Sequence, residues 1–321
     1  MALTRHARSA DSLSMPSTAS VAIGVMAHNE EATIAKLLES ILAQTASDRI
    51  ARIVVVASGC TDRTCAIVEA CCQKDARISL VDEPERGGKV TAINKFMTSS
   101  PEPILCVSGA DMVYAPNTIE ALIAPFDNPD IGMVGSHPVP LNDKSTFVGF
   151  AVNLLWTLHH EVSLIAPKMG ELIAFRNVFR GLDPEMLADE VQIERGIRAV
   201  GFKTAYAPDA IVYNRGPATI REFVAQRSRW VALNLQLQRK HRYDVSTWNG
   251  SALRRATFRV LRRDHPRLDW FFATAALEIY CRVRGMLARP TATSKDGRLW
   301  EQQASTKDVV RNSDPVADGV K

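Results

Sequence analysis

Val21-Ala22-Ile23-Gly24-Val25-Met26-Ala27-His28-Asn29-Glu30-Glu31 decides the fold. The first seven residues carry no polar side chain, a run too short for a typical helix and too continuous for a strand with one wet face. That pattern predicts a strand buried on both sides, as in a parallel sheet covered by helices. A polar tetrad follows at the strand's C-terminal end, and residues 32–42 then repeat apolar side chains at helical spacing. Strand, acidic loop and helix together open a βαβ unit.

The same unit recurs downstream. Residues 50–57 form the next unit's strand, followed by Ser58-Gly59-Cys60-Thr61-Asp62 and a helix through Cys72 that Thr61 or Asp62 is placed to cap. Residues 78–81 read as a third strand, and Glu85-Arg86-Gly87-Gly88-Lys89 leads into a helix through Met97. A fourth strand, 104–107, runs toward Asp111. This alternation predicts an α/β fold with a mostly parallel, doubly wound sheet and a ligand crevice at the strand C-termini. His28-Asn29-Glu30, Ser58-Gly59, Gly88-Lys89 and Asp111 all fall at that edge.

Beyond residue 115 the pattern is less regular. Residues 147–165 read as an apolar helix holding Trp156, His159 and His160, a His pair better suited to packing than to metal binding. Residues 170–176 follow as a strand and turn, and 187–201 as a helix that Gly201 is placed to end. A short strand at 203–212 precedes an amphipathic helix, 220–237, that carries Gln226, Arg229 and Trp230.

Composition excludes the fibrous, disordered and membrane-spanning classes. The 321 residues are 46% hydrophobic and 23% charged, which is ordinary for a chain that buries a large core. The net charge of +4 is small but uneven, with Arg254, Arg255, Arg259, Arg262, Arg263 and Arg267 crowded together. From charge alone such a cluster fits an anionic membrane surface or a nucleic acid equally well. The apolar stretch 270–281 is interrupted by Glu278 and falls short of the ~20 residues that cross a bilayer. Six cysteines form no Cys-x-x-Cys pair, which together with the lack of an apolar leader points to a reducing cytoplasm.

Three elements stand in a telling order: Asp111 after a strand, Asp189-Glu190 opening a helix, and Gln226-x-x-Arg229-Trp230. Their sequence resembles glycosyltransferase family 2, in particular its polysaccharide-synthase branch with a Gln-x-x-Arg-Trp motif. The resemblance runs from about residue 21 to residue 230 and implies the GT-A fold. It also implies inverting transfer of a sugar from a nucleotide-diphosphate donor, a UDP-sugar foremost, to an acceptor hydroxyl. By the same resemblance Glu190, with Asp189 beside it, is the expected catalytic base. His28, Asn29, Glu30, Ser58, Lys89 and Asp111 are expected to hold the nucleotide sugar. Glu171, Gln226, Arg229 and Trp230 are expected on the acceptor and diphosphate side, and Asp111 is the expected ligand of a weakly bound Mg2+ or Mn2+ ion.

The chain departs from the family pattern in four places. Met26 replaces a proline in the first loop, and Ser58 stands where the family has a base-recognising Asp. Gly109-Ala110-Asp111 replaces Asp-x-Asp, and Asp189-Glu190 inverts the usual Glu-Asp. Spanning helices after the Gln-x-x-Arg-Trp motif are missing. A nucleotidyltransferase of similar sheet topology and a non-catalytic nucleotide-binding relative are the rival readings.

The expected organisation is a disordered extension over 1–19, a catalytic domain over 20–238 split near residue 115, a basic helical region over 239–288 and a polar tail over 289–321. Expected partners are the donor, a saccharide or lipid-linked acceptor and an anionic membrane surface touched from the cytoplasmic side, with no nucleic acid.

Overall fold

All seven residues of β1 (Val21–Ala27) are buried in the computed structural model, which describes residues 19–184, 186, 188–241, 250–264 and 266–287. The expected N-terminal extension to residue 18, the tail from 289, Arg242 and His265 lie outside the described residues. β1 is parallel to β2 (Ile50–Ser58) on one side and to β4 (Ile104–Gly109) on the other, and β2 is parallel to β3 (Ile78–Glu83). These are the four strands expected from the apolar runs.

The sheet continues through strands that short windows do not reveal. β7 (Leu172–Arg176) runs antiparallel to β4, and β6 (Ile131–Pro140) runs antiparallel to β7. β8 (Lys203–Asn214) is parallel to β6, and the three-residue β5 (Met112–Tyr114) closes the edge antiparallel to β8. The full order is β3-β2-β1-β4-β7-β6-β8-β5, with four parallel and three antiparallel pairings.

Period-two alternation divides β1 between two cores. Val21, Ile23 and Val25 face α1 (Ile34–Leu42), α2 (Thr64–Cys72) and α4 (Thr118–Ile123), meeting Leu37, Val68 and Leu122 among others. Ala22 and Met26 face α3 (Lys89–Ser99) and α6 (Asp189–Ala199), meeting Ile93, Phe96, Ile193 and Ile197. Each fully buried Val, Leu, Ile or Phe contributes about 1.5–3 kcal/mol by leaving water. Gly24 has a specific packing reason: a Cβ there would lie 2.5 Å from the Phe96 ring. Its bare backbone lets that ring press onto the strand and seats α3.

The helices after the sheet domain dock through different chemistry. α5 (Phe147–Ser163) receives α8 (Gly250–Asp264), where Ala252 and Ala256 pack near Val162 and the buried Glu161 pairs with Arg263 at 2.6 Å and Arg259 at 3.4 Å. α7 (Ile220–His241) receives α9 (Leu268–Leu287) at Gly285, where a Cβ would lie 2.6 Å from the Ser228 carbonyl. Trp270 is turned inward, edge-on to the rings of Phe147 and Phe150. Phe272 points out, 66% exposed. No helix among the described residues is long and apolar enough to cross a membrane.

Candidate active site

The first two strand ends are knitted into one platform. His28 Nδ1 lies 2.7 Å from the Ser58 carbonyl, and Asn29 Oδ1 accepts from the Thr61 amide at 2.8 Å. Among the described non-glycine residues only Asn29 has positive φ, at 50°, a conformation asparagine tolerates better than most. The Glu30 amide donates to Thr64 Oγ1 at 2.7 Å, and the Glu31 amide donates to Asp62 Oδ2 at 3.0 Å. Asp62 also accepts from the Thr64 amide at 2.9 Å, so it organises the start of α2 as a turn residue.

Two expected nucleotide contacts carry structural duties here. Ser58 is buried, and its hydroxyl accepts from the Gly87 amide at 3.0 Å. Glu30 is also buried, and its carboxylate accepts from Thr33 Oγ1 at 3.0 Å. Both brace the loops that line the crevice.

The charged centre lies at the next strand ends. Lys89 is the first residue of α3 and Asp189 the first of α6, and their side chains pair at 2.8 Å. An acid at a helix N-terminus is favoured by the dipole and a lysine is not, so Asp189 offsets the poor placement of Lys89. Burial opposes the Lys89 ammonium, but Asp189, Glu190 and Glu171 outweigh it and hold its pKa above the usual lysine value. For Glu190 burial is the main cause of a raised pKa, with the Asp189 charge adding to it and Lys89 opposing it. Glu171 is pushed up to about 7, first by burial and then by the charge of Asp111. Asn214 Nδ2 donates to Glu171 Oε1 at 3.2 Å.

Five expected residues therefore gather in one electrostatic cluster: Lys89, Asp111, Glu171, Asp189 and Glu190. Gln226, Arg229 and Trp230 lie on α7, where the Arg227 guanidinium stacks over the Trp230 ring at 4.9 Å. Arg227 also forms a two-pronged pair with Glu278 of α9, at 2.7 and 3.0 Å. Arg282 joins the same carboxylate at 3.3 Å.

One link between α7 and the acids is a residue the sequence reading missed. Lys168 is half-buried in the connection from α5 to β7, and its pKa falls to about 7. Burial is the main cause, with Arg227 and Arg282 adding to it and Glu190 and Glu278 opposing it. The available signal was a lone cation in the apolar run Leu164-Ile165-Ala166-Pro167-Lys168-Met169, just ahead of Glu171. His159, nearby, is held neutral to about pH 3 by burial and by the Lys168 charge. It stands edge-on to Trp156 at 5.1 Å, while His160 stacks on His137 at 4.0 Å. These rings pack; among the described residues no group of three or more His, Cys, Asp or Glu side chains could hold a metal ion.

A divalent ion is still compatible with the crevice. Asp111, Glu171 and the Asn214 amide are hard oxygen donors, the class that Mg2+ and Mn2+ prefer. The buried Asn214 Oδ1 has no hydrogen-bond partner in the fold.

A mixed sheet with its acids, its lysine and its polar loops gathered at one edge is an α/β domain of the kind whose ligand crevice lies at the strand C-termini. Residues 22–166 match the model of glycosyl transferase family 2. Over 232 residues it is 26% identical to the "Probable glycosyltransferase YdaM" of Bacillus subtilis (strain 168), covering 67% of this chain and 55% of that protein. Over 201 residues it is 26% identical to an N-acetylglucosaminyltransferase of Rhizobium meliloti (strain 1021), covering 56% of this chain and 47% of the relative. The chain thus spans about half the length of these curated relatives. Among solved structures it resembles a mannosyltransferase of Pyrobaculum calidifontis in complex with GDP-Man and Mn2+, with a TM-score of 0.59 and 20% identity. That likeness covers 84% of this chain and 86% of the other, and it assigns the fold as GT-A.

Proposed function

We propose that this chain transfers a sugar from a nucleotide-diphosphate donor to an acceptor hydroxyl, with inversion at the anomeric carbon. The observation that carries the reading is Glu190, a carboxylate of raised pKa beside the Lys89–Asp189 pair in the crevice. In this role Glu190 takes the acceptor's proton as the hydroxyl oxygen attacks the anomeric carbon and the nucleoside diphosphate leaves. Asp189 holds Lys89 and, through its charge, raises the basicity of Glu190. Lys89 places positive charge at the N-terminus of α3, where phosphate oxygens are also favoured. Asp111 is the residue to hold a Mg2+ or Mn2+ ion, which when bound neutralises the leaving diphosphate. Gln226, Arg229 and Trp230 act on the acceptor and diphosphate side, with Lys168 and Arg227 between them and Glu190.

The GDP-Man bound by the Pyrobaculum calidifontis mannosyltransferase and the family resemblance support a nucleotide sugar, with a UDP-sugar our first choice. The C-terminal helices support a lipid-linked acceptor reached from a membrane surface. α9 turns Phe272, Ile279, Val283 and Leu287 outward, and α8 leaves Arg254, Arg255 and Arg262 exposed. An outward apolar stripe and a set of exposed arginines suit an anionic leaflet.

The test is a panel of UDP-, GDP- and dTDP-sugars assayed for nucleoside diphosphate release with and without Mn2+, and product anomers read by NMR. Release with an inverted anomer is expected. A retained anomer overturns the mechanism, and no release from any donor overturns the reading.

A further inference from the structure

The family pattern has two aspartates where this chain has Gly109-Ala110-Asp111, so one carboxylate is missing. The β4–β7 ladder shows what faces that gap. Its antiparallel register pairs Ile104 with Arg176 and Ser108 with Leu172. The ladder ends there, and the next residues along the two strands are Gly109 and Glu171. Directly opposed residues of an antiparallel pair project to the same face, so the residues just past the last pair leave the ladder side by side. Gly109 projects nothing, and a Cβ built there would lie 3.1 Å from Asp111 Oδ1. The Asp111 carboxylate therefore leans back over the space that a side chain at 109 would fill, and, after burial, its charge raises the pKa of Glu171.

Asn214 adds an independent sign of a ligand. It pairs with Met112, the neighbour of Asp111, and its Nδ2 donates to Glu171 at 3.2 Å. Only 7% exposed, it keeps Oδ1 without a hydrogen-bond partner. A buried amide oxygen on the residue hydrogen-bonded to Glu171, added to the interacting Asp111–Glu171 carboxylates, is a donor set for a hard cation. The nearby ammonium of Lys89 does not fill this role, since it sits 2.8 Å from Asp189.

We propose that Glu171 supplies, from across the β4–β7 ladder, the carboxylate lost at position 109, forming with Asp111 and Asn214 a divalent-cation site. This assignment rests on the glycosyltransferase reading and changes the part played by Glu171, which moves from the acceptor side to the metal. A charge lost from one strand is restored by its neighbour, sixty-two residues later in the chain.

Binding, not turnover, tests it. The full chain is titrated with Mn2+ in the presence of UDP or GDP, whichever gives the larger thermal shift, and free Mn2+ is counted by electron paramagnetic resonance. Asp111→Asn and Glu171→Gln are each expected to weaken Mn2+ binding by about tenfold or more. Adding Gly109→Asp to Glu171→Gln is expected to recover most of that loss, because the crowding atom is the movable tip of Asp111. Far-UV circular dichroism and a cooperative thermal transition report whether each variant is folded. Wild-type Mn2+ binding in folded Glu171→Gln overturns the assignment, as does a folded double variant with no recovery. Sugar transfer by a wild-type chain that binds no Mn2+ also overturns it while leaving the enzyme reading intact. Failure of that reading appears separately, as absence of nucleoside diphosphate release from every donor.

Discussion

Lys89 and Asp189 join the first residues of two helices, α3 and α6, through a 2.8 Å ion pair. The two helices belong to different halves of the chain but cover the same face of the sheet. Their pairing leaves Glu190, the next residue of α6, beside a cation that favours its ionised form. Lys89→Met removes that cation. The acid limb of the pH dependence of kcat/KM then moves to higher pH, because Glu190 becomes harder to ionise. A limb that stays in place would show that the two groups are not coupled in the working enzyme.

Glu190→Gln keeps the shape of the side chain and cannot accept a proton. Turnover falls by about 10²–10⁴-fold while donor affinity, measured by calorimetry, stays near wild type. Asp189→Asn frees Lys89 as well, so it weakens donor binding and turnover together. If Asp189→Asn alone abolished turnover and Glu190→Gln did not, the base would be Asp189. In the wild type the raised pKa of Glu190 means that the rate climbs with pH well above the ordinary carboxylate range.

Glu278 pairs with both Arg227 and Arg282, and its own pKa is lowered by their hydrogen bonds and charges against the cost of burial. Glu278→Ala leaves two guanidiniums near Lys168 without that countercharge. Loss of one partner from a largely buried pair costs about 3 kcal/mol, read as a drop in the urea midpoint. Replacing Arg227 by Met in the same chain recovers much of the stability, since an apolar pair needs no countercharge.

His159 sets a limit on acid stability. Its folded pKa of about 3 lies below the ordinary histidine value, so the unfolded chain binds a proton that the folded chain refuses. Stability from this group is complete above about pH 6.5 and is lost as the pH falls toward 3, by up to about 1.4 kcal/mol per pH unit. His159→Gln makes the decline of Tm between pH 6.5 and 4.5 shallower. An unchanged slope would assign the acid sensitivity to other groups, His137 and His160 among them.

The first half of the fold was legible because β1 to β4 are predominantly apolar runs, interrupted only by Arg52 in β2 and Ser79 in β3 before the polar residues that close each one. β5 and α4 escaped because three and six residues are too few to show a period. β6 escaped for another reason: Gly132, Gly135, Pro138 and Pro140 argue against a strand when read alone. The five-residue β7 was visible as a strand, but nothing local says that it enters antiparallel between β4 and β6. The site divides in the same way. Asp111, Asp189, Glu190 and Lys89 are local signals at strand and helix ends. The neighbours that set their chemistry are not, because Glu171 feels Asp111 only once β7 pairs with β4, and Lys168 feels Arg227 only once α7 is in place.

The contact of Gly24 with Phe96 gives the crevice a remote tuning point. Phe96 lies two helical turns along α3 from Lys89, and the helix transmits displacement along its axis as a rigid rod. A single methyl at position 24 has no room beneath the ring, so α3 must lift from the sheet to admit it. The reach of Lys89 toward Asp189 changes with that lift, although no group in the crevice has been altered. In this architecture the smallest residue of the central strand acts as the shim that sets the gap between two helix ends.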